Sequence, residues 1–447
     1  MKIKIISKPY LEALAESNER RGKHKKPKKP NMLFRTLMRV LAIPDMIATH
    51  FHANKVGMDR LKKGEPAFYL MNHSSFIDLE IVPTLLYPKP FNIVATTDAF
   101  IGKEWLMRQI GCIPTKKFVP DVTLIRDIMY ATKTLHDSVV MFPEAGYSFD
   151  GTATVLPDTV GKFVKLLGIP LVMISTYGAF TRDPLYNNLH KRKVRVSATM
   201  KYLLSAEEIK EKSAEEISAL IAKHFCFDSF RWQQEKNIHI TEKNRAEGLE
   251  RILYKCPHCN TECRMLGEGD HVSCLECGKI YYLGETGLLE CRCEGEDCKC
   301  EIPHIPDWYA WEREEVKREI SEGRYSLDIP VKIVVSFDTS KFYEVGEGRL
   351  THNSEGLHVT SDDGNIDYLH KPLASYTICS DFNFYEIGDV ISFGDASCLY
   401  YCFPLSEGVS VAKVRMAAEE MYKLERARLD AEAAERAAGE KEQQSTD

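Results

Sequence analysis

The spacing of cysteines in the middle of the chain constrains the fold more strongly than any other feature of this sequence. Nine of the fourteen cysteines lie between residues 256 and 300. Two Cys-x-x-Cys pairs stand there fourteen residues apart, Cys256 with Cys259 and Cys274 with Cys277. Two such pairs supply the four thiolates of one tetrahedral zinc ion, as in zinc ribbons. The pattern therefore predicts a small zinc-ribbon domain between two larger units.

The last four cysteines of this stretch form a second group, whose Cys-x-Cys spacing is less suited to zinc. Its members are Cys291, Cys293, Cys298 and Cys300. A second metal ion at this group therefore stays an alternative. A complete set of four cysteines has no open coordination position, so we expect the zinc held by the first group to be structural and not catalytic.

The pattern of apolar residues divides the remaining chain into an α/β unit and a β-rich unit. In residues 31–248, strand-like runs such as AFYLM, SVVMFP, PLVMIST and KVRVSA alternate with helix-like runs, which indicates an α/β domain. In residues 326–425, short strand-like runs, among them FYEIGDVISF, precede one long helical stretch. This order predicts a small barrel of pleckstrin-homology-like shape. The other predicted segments are a basic flexible N-terminal segment, the zinc ribbon, a connecting helix and a charged tail, at residues 1–30, 249–303, 304–325 and 426–447.

Charge and hydropathy argue against two classes of protein. The net charge of −6 and the isoelectric point near 6.2 do not fit a general nucleic-acid binder. The sequence has no run of about 18 uncharged apolar residues, the length that a transmembrane helix needs. Its first residues also lack the apolar core of a signal peptide. We therefore expect a cytoplasmic protein.

Residues 31–51 predict contact with a membrane from one side. Apolar residues recur along this stretch, at positions 33, 34, 37, 38, 40, 41 and 47. Arg35 and Arg39 lie among them, and the basic run RRGKHKKPKK precedes them. This combination predicts an interfacial helix beside a cationic anchor, which would hold the protein peripherally on the inner face of the membrane. The alternative is an ordinary core helix preceded by a solvated linker.

The segment NHSSFID, residues 72–78, carries the first sign of catalysis. It follows the strand-like run AFYLM, which places His73 in a turn and Asp78 in the first turn of a helix. There the Asp78 carboxylate can accept a hydrogen bond from one ring nitrogen of His73 and raise the basicity of the other. Residues 75–78 also fit a helix capping box, so capping is the alternative role of Asp78.

A second segment, MFPEAGYS at residues 141–148, follows the strand-like run SVV. Together the two segments resemble motifs of the glycerolipid acyltransferase family, which includes 1-acylglycerol-3-phosphate acyltransferases. The family's first motif is NHxxxxD, and its third is usually FPEGTRS. The residues that match these motifs are Asn72, His73, Asp78, Phe142, Pro143, Glu144 and Ser148. The departures are Ala145, Gly146 and Tyr147, and Tyr147 stands where the motif has its arginine.

Two further segments are similar to the family's second and fourth motifs. Residues 111–117, GCIPTKK, correspond to a glycine, an apolar run and a terminal arginine, but Lys117 stands in the arginine's place. Residues 169–172, IPLV, correspond to the fourth motif. The four segments occur in the family's order and cover about residues 60–200, so the resemblance leaves the rest of the chain unassigned.

The resemblance implies a reaction and roles for individual residues. The reaction is transfer of a fatty acyl group from acyl-CoA or acyl carrier protein to the hydroxyl of a lysophospholipid, with 1-acylglycerol-3-phosphate as the first candidate, in phospholipid biosynthesis. His73 would be the general base, and Asp78 would orient it. The residues implied to bind substrate are Asn72, Lys117, Phe142, Pro143, Glu144 and Gly146.

A non-catalytic protein is the rival hypothesis. In that case a degenerate acyltransferase fold binds lipid or serves as a scaffold, and the zinc ribbon or the β-rich domain contacts a protein partner. The altered FPEAGY segment favours this hypothesis, whereas the intact His73 and Asp78 favour catalysis more strongly. We therefore predict an acyltransferase with a structural zinc ion and an accessory β-rich domain.

Overall fold

The computed structural model describes residues 4–20, 22, 24–119, 121–157, 159–292 and 299–444. Within these ranges the strands form three β-sheets, one each in the α/β, cysteine-rich and β-rich parts of the chain. In the same ranges, no helix is both long enough and apolar enough to cross a bilayer.

The N-terminal segment forms regular structure where a flexible segment was predicted. Strand β1 (Ile5–Ser7) pairs in parallel with a strand of the C-terminal sheet, and helix α1 (Tyr10–Arg20) follows it. Residues 24–29 of the basic run contact the α/β domain, where Lys29 pairs with Asp137 at 3.0 Å. Ion pairs with acidic side chains of the α/β domain thus fix this segment, although its composition alone predicts a flexible linker.

The α/β domain contains seven strands and the helices between them. Its elements are α2 (Met32–Ala48), β2 (His52–Val56), β3 (Phe68–Met71), α3 (Asp78–Leu86), β4 (Phe91–Thr96), α4 (Glu104–Gln109), β5 (Cys112–Thr115), α5 (Val122–Lys133), β6 (Ser138–Met141), α6 (Val160–Leu167), β7 (Leu171–Tyr177), α7 (Ala179–Arg182), β8 (Ser197–Leu204), α8 (Ala206–Glu211), α9 (Ala214–Phe225) and α10 (Ser229–Glu235). The predicted run KVRVSA becomes a strand only at Ser197. Its valines are buried, but Val196 donates its N–H to Thr49 outside the sheet.

The sheet of the α/β domain has the strand order β2-β8-β7-β3-β6-β4-β5. The strands from β7 to β5 run parallel, and β8 is antiparallel to β7. Side chains alternate along β3, so Phe68 and Leu70 pack with α5, α6 and α9, while Tyr69 and Met71 pack with α2 and α3. Helices therefore bury both faces of the sheet, which confirms the predicted α/β domain.

The cysteine-rich part forms a four-stranded antiparallel sheet and leads into a long helix. Its elements are β9 (Met265–Glu268), β10 (His271–Cys274), β11 (Ile280–Leu283), β12 (Leu289–Glu290) and α11 (Ile305–Ser321). The strand order is β12-β11-β10-β9. Helix α11 has His304 in its N-cap position and Asp307 in its first turn.

The β-rich part is a sheet of seven antiparallel strands, with β1 added to it, and a C-terminal helix. Its elements are β13 (Leu327–Ser336), β14 (Phe342–Asn353), β15 (Gly356–Ser361), β16 (Asp367–His370), β17 (Cys379–Phe384), β18 (Gly388–Gly394), β19 (Leu399–Pro404) and α12 (Val411–Gln444). The strand order is β16-β15-β14-β13-β19-β18-β17. The run FYEIGDVISF is divided between β17 and β18, because Tyr385 and Glu386 turn the chain with positive φ angles. Residues 426–444 of the predicted charged tail continue α12.

One apolar core connects the cysteine-rich part, α11, the β-rich part and one side of the α/β domain. The ring centroids of Tyr281 and Trp308 lie 4.9 Å apart, and those of Phe149 and Phe382 lie 4.6 Å apart. The α/β domain has two further apolar clusters of its own, one on each face of its sheet. The C-terminal parts therefore share their core, whereas the α/β domain retains independent ones.

Candidate active site and metal-binding cluster

The two segments NHSSFID and FPEAGYS of the α/β domain meet at one edge of its sheet. Strands β3, β6 and β7 are neighbours and parallel, so their carboxyl ends lie together. The segment NHSSFID follows β3, and the segment FPEAGYS follows β6. This placement brings His73 and Glu144 together with Thr176, which lies near the end of β7.

Asp78 contacts both the His73 ring and the backbone of the turn. Its Oδ2 lies 3.2 Å from His73 Nδ1 and accepts the N–H groups of Ser74 at 2.6 Å and Ser75 at 3.0 Å. The Thr176 hydroxyl donates to the other carboxylate oxygen at 3.2 Å. One oxygen thus contacts the ring and the backbone of the turn, but no capping box forms, because Ile77 is the N-cap of the helix and makes no side-chain cap bond. Nε2 is the His73 nitrogen that remains for a substrate.

Aromatic rings hold the His73 side chain on two sides. The Phe142 ring stacks on it with a centroid distance of 4.1 Å, and the Tyr147 ring lies at 4.4 Å. The side chain remains 15% exposed. His73 is thus fixed by one carboxylate and two rings, with limited access from outside.

Glu144 and Asn72 connect the strand ends and do not form an open polar surface. Glu144 Oε1 accepts the His73 N–H at 3.2 Å, and Oε2 accepts the Thr154 hydroxyl at 3.1 Å. Burial raises the pKa of Glu144 to about 8, although these hydrogen bonds oppose the rise. Asn72 is buried and accepts the Thr176 N–H at 2.7 Å. Both side chains therefore position the segment that carries His73.

The other implied substrate-binding residues differ in their surroundings. Pro143 is buried, and a Cβ atom at Gly146 would meet nothing within 4 Å. Lys117 faces the β-rich part, and its Nζ donates to Cys379 Sγ at 3.5 Å. Burial alone would lower the pKa of Lys117, but the neighbouring Cys379, Asp98 and Asp381 outweigh it and hold that pKa well above its usual value.

Sequence reasoning missed several residues that take part in this arrangement. Thr176 and Thr154 donate to Asp78 and Glu144, and both lie outside the segments that match the family motifs. Asp381 lies in a part of the chain to which the resemblance does not extend. A threonine at the end of a predicted strand is a usable signal for Thr176, whereas nothing in the sequence associates Asp381 with Lys117.

Ala145 adopts a backbone conformation that favours glycine. Its φ angle is 51°, and the family motif has glycine at this position. A non-glycine residue in the left-handed region lowers stability by about 1–2 kcal/mol. Glycine removes this strain, but part of the gain is cancelled because glycine has more conformational freedom in the unfolded chain. We expect Ala145→Gly to raise the free energy of unfolding by about 0.5–1 kcal/mol in denaturant titration. The control is Ala153→Gly, at a residue without positive φ, which should lower the free energy of unfolding. If both variants lose stability, the backbone at Ala145 is not strained.

The four cysteines of the two Cys-x-x-Cys pairs come together as a compact cluster. The Sγ atoms of Cys256, Cys259, Cys274 and Cys277 all lie within 4.8 Å of one another. Two of the distances are 3.8 Å, between Cys256 and Cys277, and 3.7 Å, between Cys259 and Cys274. A tetrahedral zinc ion with Zn–S bonds of about 2.3 Å requires sulfur separations of about 3.8 Å. The cluster therefore has the dimensions of a four-thiolate zinc site and is too wide for disulfides.

The second cysteine group is described only in part. Cys291 and Cys300 are partly buried free thiols, and Cys291 Sγ lies 3.2 Å from the carbonyl of Lys299. Cys293 and Cys298 lie outside the described residues. The alternative of a second metal ion at this group therefore stays open.

Comparison with known proteins agrees with the motifs. The model of the acyltransferase family matches residues 52–175. A chloroplastic 1-acyl-sn-glycerol-3-phosphate acyltransferase of Arabidopsis thaliana is 28% identical over 133 residues, which are 29% of this chain and 36% of that protein. The chain thus spans little more than a third of the length of that curated relative.

Among solved structures, the 1-acyl-sn-glycerophosphate acyltransferase PlsC from Thermotoga maritima is similar with a TM-score of 0.34 and 13% identity, over 42% of this chain and 76% of that chain. The family match includes both segments that meet at the sheet edge, NHSSFID and FPEAGYS. Residues 52–175 of the α/β domain are therefore similar to the acyltransferase family, in agreement with the resemblance of the four motif segments.

Proposed function

We propose that this chain transfers an acyl group from an acyl thioester to a hydroxyl of a lysoglycerolipid, with His73 as the general base. The observation that carries the proposal is the pair formed by His73 Nδ1 and Asp78 Oδ2 at 3.2 Å. A carboxylate at Nδ1 fixes the tautomer in which Nε2 is the basic nitrogen. Asp78 is itself held by Ser74, Ser75 and Thr176, so the pair has little freedom to separate.

The reaction needs no covalent acyl-enzyme. Nε2 of His73 takes the proton of the acceptor hydroxyl while its oxygen attacks the thioester carbonyl. The new C–O bond forms, the C–S bond breaks, and the thiol leaves with the proton that His73 returns. Acyl-CoA and acyl carrier protein both present such a thioester, so either donor fits this scheme.

The acceptor implied by the resemblance is 1-acylglycerol-3-phosphate, and its product would enter phospholipid biosynthesis. The name of the Arabidopsis relative supports this acceptor. Two positions do not favour its phosphate: Tyr147 stands in the place of an arginine, and Lys117 faces the β-rich part, where its Nζ donates to Cys379 Sγ. Our proposal therefore includes the lysolipid hydroxyl but does not depend on a phosphate.

A thioester-consumption assay tests the proposed reaction. Purified protein is given acyl-CoA or acyl carrier protein with a panel of lysophospholipids and hydroxylated lipids, and free thiol is measured. We expect acceptor-dependent release of thiol. A folded protein that binds these lipids in vesicles but consumes no thioester with any acceptor would favour the rival scaffold function.

An exposed apolar face on α2 supports peripheral contact with a membrane. Leu33, Leu41 and Ile47 are 72%, 66% and 69% exposed, although large apolar side chains are normally buried. Phe76, which lies close to His73 in sequence, is 52% exposed. An amphiphilic acceptor could then enter from the bilayer surface. Ion pairs such as Lys29 with Asp137 reduce the contribution of the basic run, so we assign the contact chiefly to apolar residues.

We expect the double variant Leu41→Asp, Ile47→Asp to bind phosphatidylcholine–phosphatidylglycerol vesicles at least about tenfold more weakly, because each buried leucine or isoleucine contributes about 1.5–3 kcal/mol. Flotation with vesicles measures this binding. Leu424→Asp is the matched control, since Leu424 is 47% exposed on the separate helix α12. If the double variant floats like the wild type, α2 does not hold the protein on the bilayer.

We further propose that Cys256, Cys259, Cys274 and Cys277 hold one structural zinc ion in a zinc ribbon. The sulfur separations near 3.8 Å support this assignment. When bound, the ion would join the two Cys-x-x-Cys turns and supply no group to the reaction. The thiolates alone hold the ion, and His258 is directed to Glu301 at 3.1 Å.

The domain limits follow as part of the proposal. We assign residues 31–248 to the acyltransferase domain, 249–303 to the ribbon, 304–325 to the connecting helix and 326–425 to a pleckstrin-homology-like domain. The antiparallel order β16-β15-β14-β13-β19-β18-β17, closed by α12, supports the last assignment. The ribbon and this domain remain candidate surfaces for a protein partner.

A further inference from the structure

The turn that follows β6 leaves open space next to a residue that contacts His73. Ala145 turns the chain with a positive φ angle of 51°, and a Cβ atom at Gly146 would meet nothing within 4 Å. The next residue, Tyr147, has its ring centroid 4.4 Å from that of the His73 ring. A substrate that reaches His73 past Gly146 therefore comes next to Tyr147.

Acyl transfer needs a hydrogen-bond donor besides the general base. When the acceptor oxygen attacks the thioester carbonyl, the carbonyl oxygen becomes an oxyanion, and a preorganised donor lowers the energy of this state. His73 cannot be that donor, because it takes up the proton of the acceptor hydroxyl in the same step. The site therefore needs a second polar group close to His73.

Several donors around His73 are engaged within the protein. Lys117 Nζ donates to Cys379 Sγ on strand β17 at 3.5 Å. Ser75 is 0% exposed, so its hydroxyl cannot reach a substrate. Three other hydroxyl groups donate to protein oxygens: Ser148 to the Thr152 carbonyl at 2.6 Å, Thr154 to Glu144 at 3.1 Å and Thr176 to Asp78 at 3.2 Å.

The Tyr147 hydroxyl is a donor that these contacts leave available. Within the described residues it forms no hydrogen bond, although its ring is held against His73. Burial raises the pKa of Tyr147, so the hydroxyl keeps its proton near pH 7 and offers a neutral O–H. Tyrosine is one of the side chains that can stabilise an oxyanion in this way.

We propose that Tyr147 is a catalytic residue whose hydroxyl donates a hydrogen bond to the oxyanion formed from the thioester carbonyl. The acceptor oxygen forms the new C–O bond and gives its proton to His73, while an electron pair of the carbonyl moves onto its oxygen. Tyr147 keeps its own proton throughout. When the electron pair returns, the C–S bond breaks and the sulfur takes the proton from His73. This inference rests on the proposed acyl transfer, and it gives a role to the residue that replaces the arginine of the family motif.

Tyr147→Phe tests this role, because it removes the hydroxyl and keeps the ring beside His73. The assay uses oleoyl-CoA with 1-oleoylglycerol and with 1-oleoylglycerol 3-phosphate as acceptors. We expect kcat to fall about 10²–10³-fold, with little change in the KM of donor and acceptor. The acidic limb of the pH profile of kcat should stay in place, because His73 remains the base. Thermal unfolding should match that of the wild type, since within the described residues the hydroxyl gives up no hydrogen bond.

The matched control is Tyr130→Phe, which should keep the wild-type kcat. Tyr130 is another partly buried tyrosine, on helix α5, and its ring centroid lies 4.9 Å from Lys26 Nζ.

The possible outcomes separate catalysis from packing. A change confined to KM, or a fall in kcat together with a lower melting temperature, would assign Tyr147 to packing and overturn the proposal. Folded Tyr147→Phe with the wild-type kcat would also overturn it, while acyl transfer at His73 stands. Folded wild-type protein that consumes thioester with neither acceptor, nor with any other lysolipid, would overturn the proposed function itself.

Discussion

His73→Ala should lower kcat for acyl transfer by about 10²–10⁴-fold, the usual loss when a general base is removed. The His73 side chain makes its one hydrogen bond to Asp78, and its backbone N–H, which donates to Glu144, is retained in alanine. The variant should therefore keep its fold and its affinity for the thioester. The measurement is steady-state thiol release at saturating donor and acceptor, with thermal unfolding as the check on folding.

Two further variants test whether the loss of kcat in His73→Ala is specific to the pair of His73 and Asp78. Asp78→Asn should retain a small residual rate, because the neutral amide cannot stabilise a charged imidazole but leaves Nε2 in place. His52→Ala removes an exposed histidine on β2 and should keep the wild-type rate. Folded His73→Ala with wild-type turnover would refute the mechanism and return the rival scaffold function to first place.

The local part of this site was predictable from the sequence, because close residues determine it. His73 and Asp78 lie in one strand-to-helix turn, so their contact follows from the motif and the end of β3. Glu144 joins them since β6 is the parallel neighbour of β3. The cysteine cluster was predictable for the same reason, because each Cys-x-x-Cys pair forms one tight turn.

The contacts that no local pattern encodes were not predictable. Cys379 approaches Lys117 only because β17 packs on the loop after β5, and the sequence carries no sign of that packing. Likewise β1 pairs with β14, which is far from it in sequence. Because no local pattern encodes this pairing, the sequence predicts a flexible segment there. Tyr385 and Glu386 form a turn with positive φ angles although neither is glycine. The sequence pattern therefore predicts one continuous strand-like run where the structure has two strands.

The shared apolar core gives zinc removal a wider expected effect than an isolated ribbon would show. Cys256 and Cys274 are buried in the same cluster as Tyr281 and Trp308. Loss of the ion should therefore loosen the ribbon and also α11 and the β-rich domain, which pack on that core. The two clusters that belong to the sheet of the α/β domain do not include the ribbon, so this domain should stay folded.

Purified protein should contain about one zinc equivalent per chain, and Cys256→Ser or chelation should remove it together with the order of the ribbon. Structural zinc contributes about 10–16 kcal/mol in zinc-finger peptides, which matches or exceeds the net stability of a typical domain of about 5–15 kcal/mol. Elemental analysis measures the metal, and hydrogen exchange measures protection in residues 250–290 and in the strands around His73. Cys226→Ser, at an exposed free cysteine outside the cluster, should retain both zinc and protection. A zinc-free preparation with full protection in residues 250–290 would contradict a metal-dependent ribbon, since the thiols would then pack without the ion that their 3.7–3.8 Å separations fit.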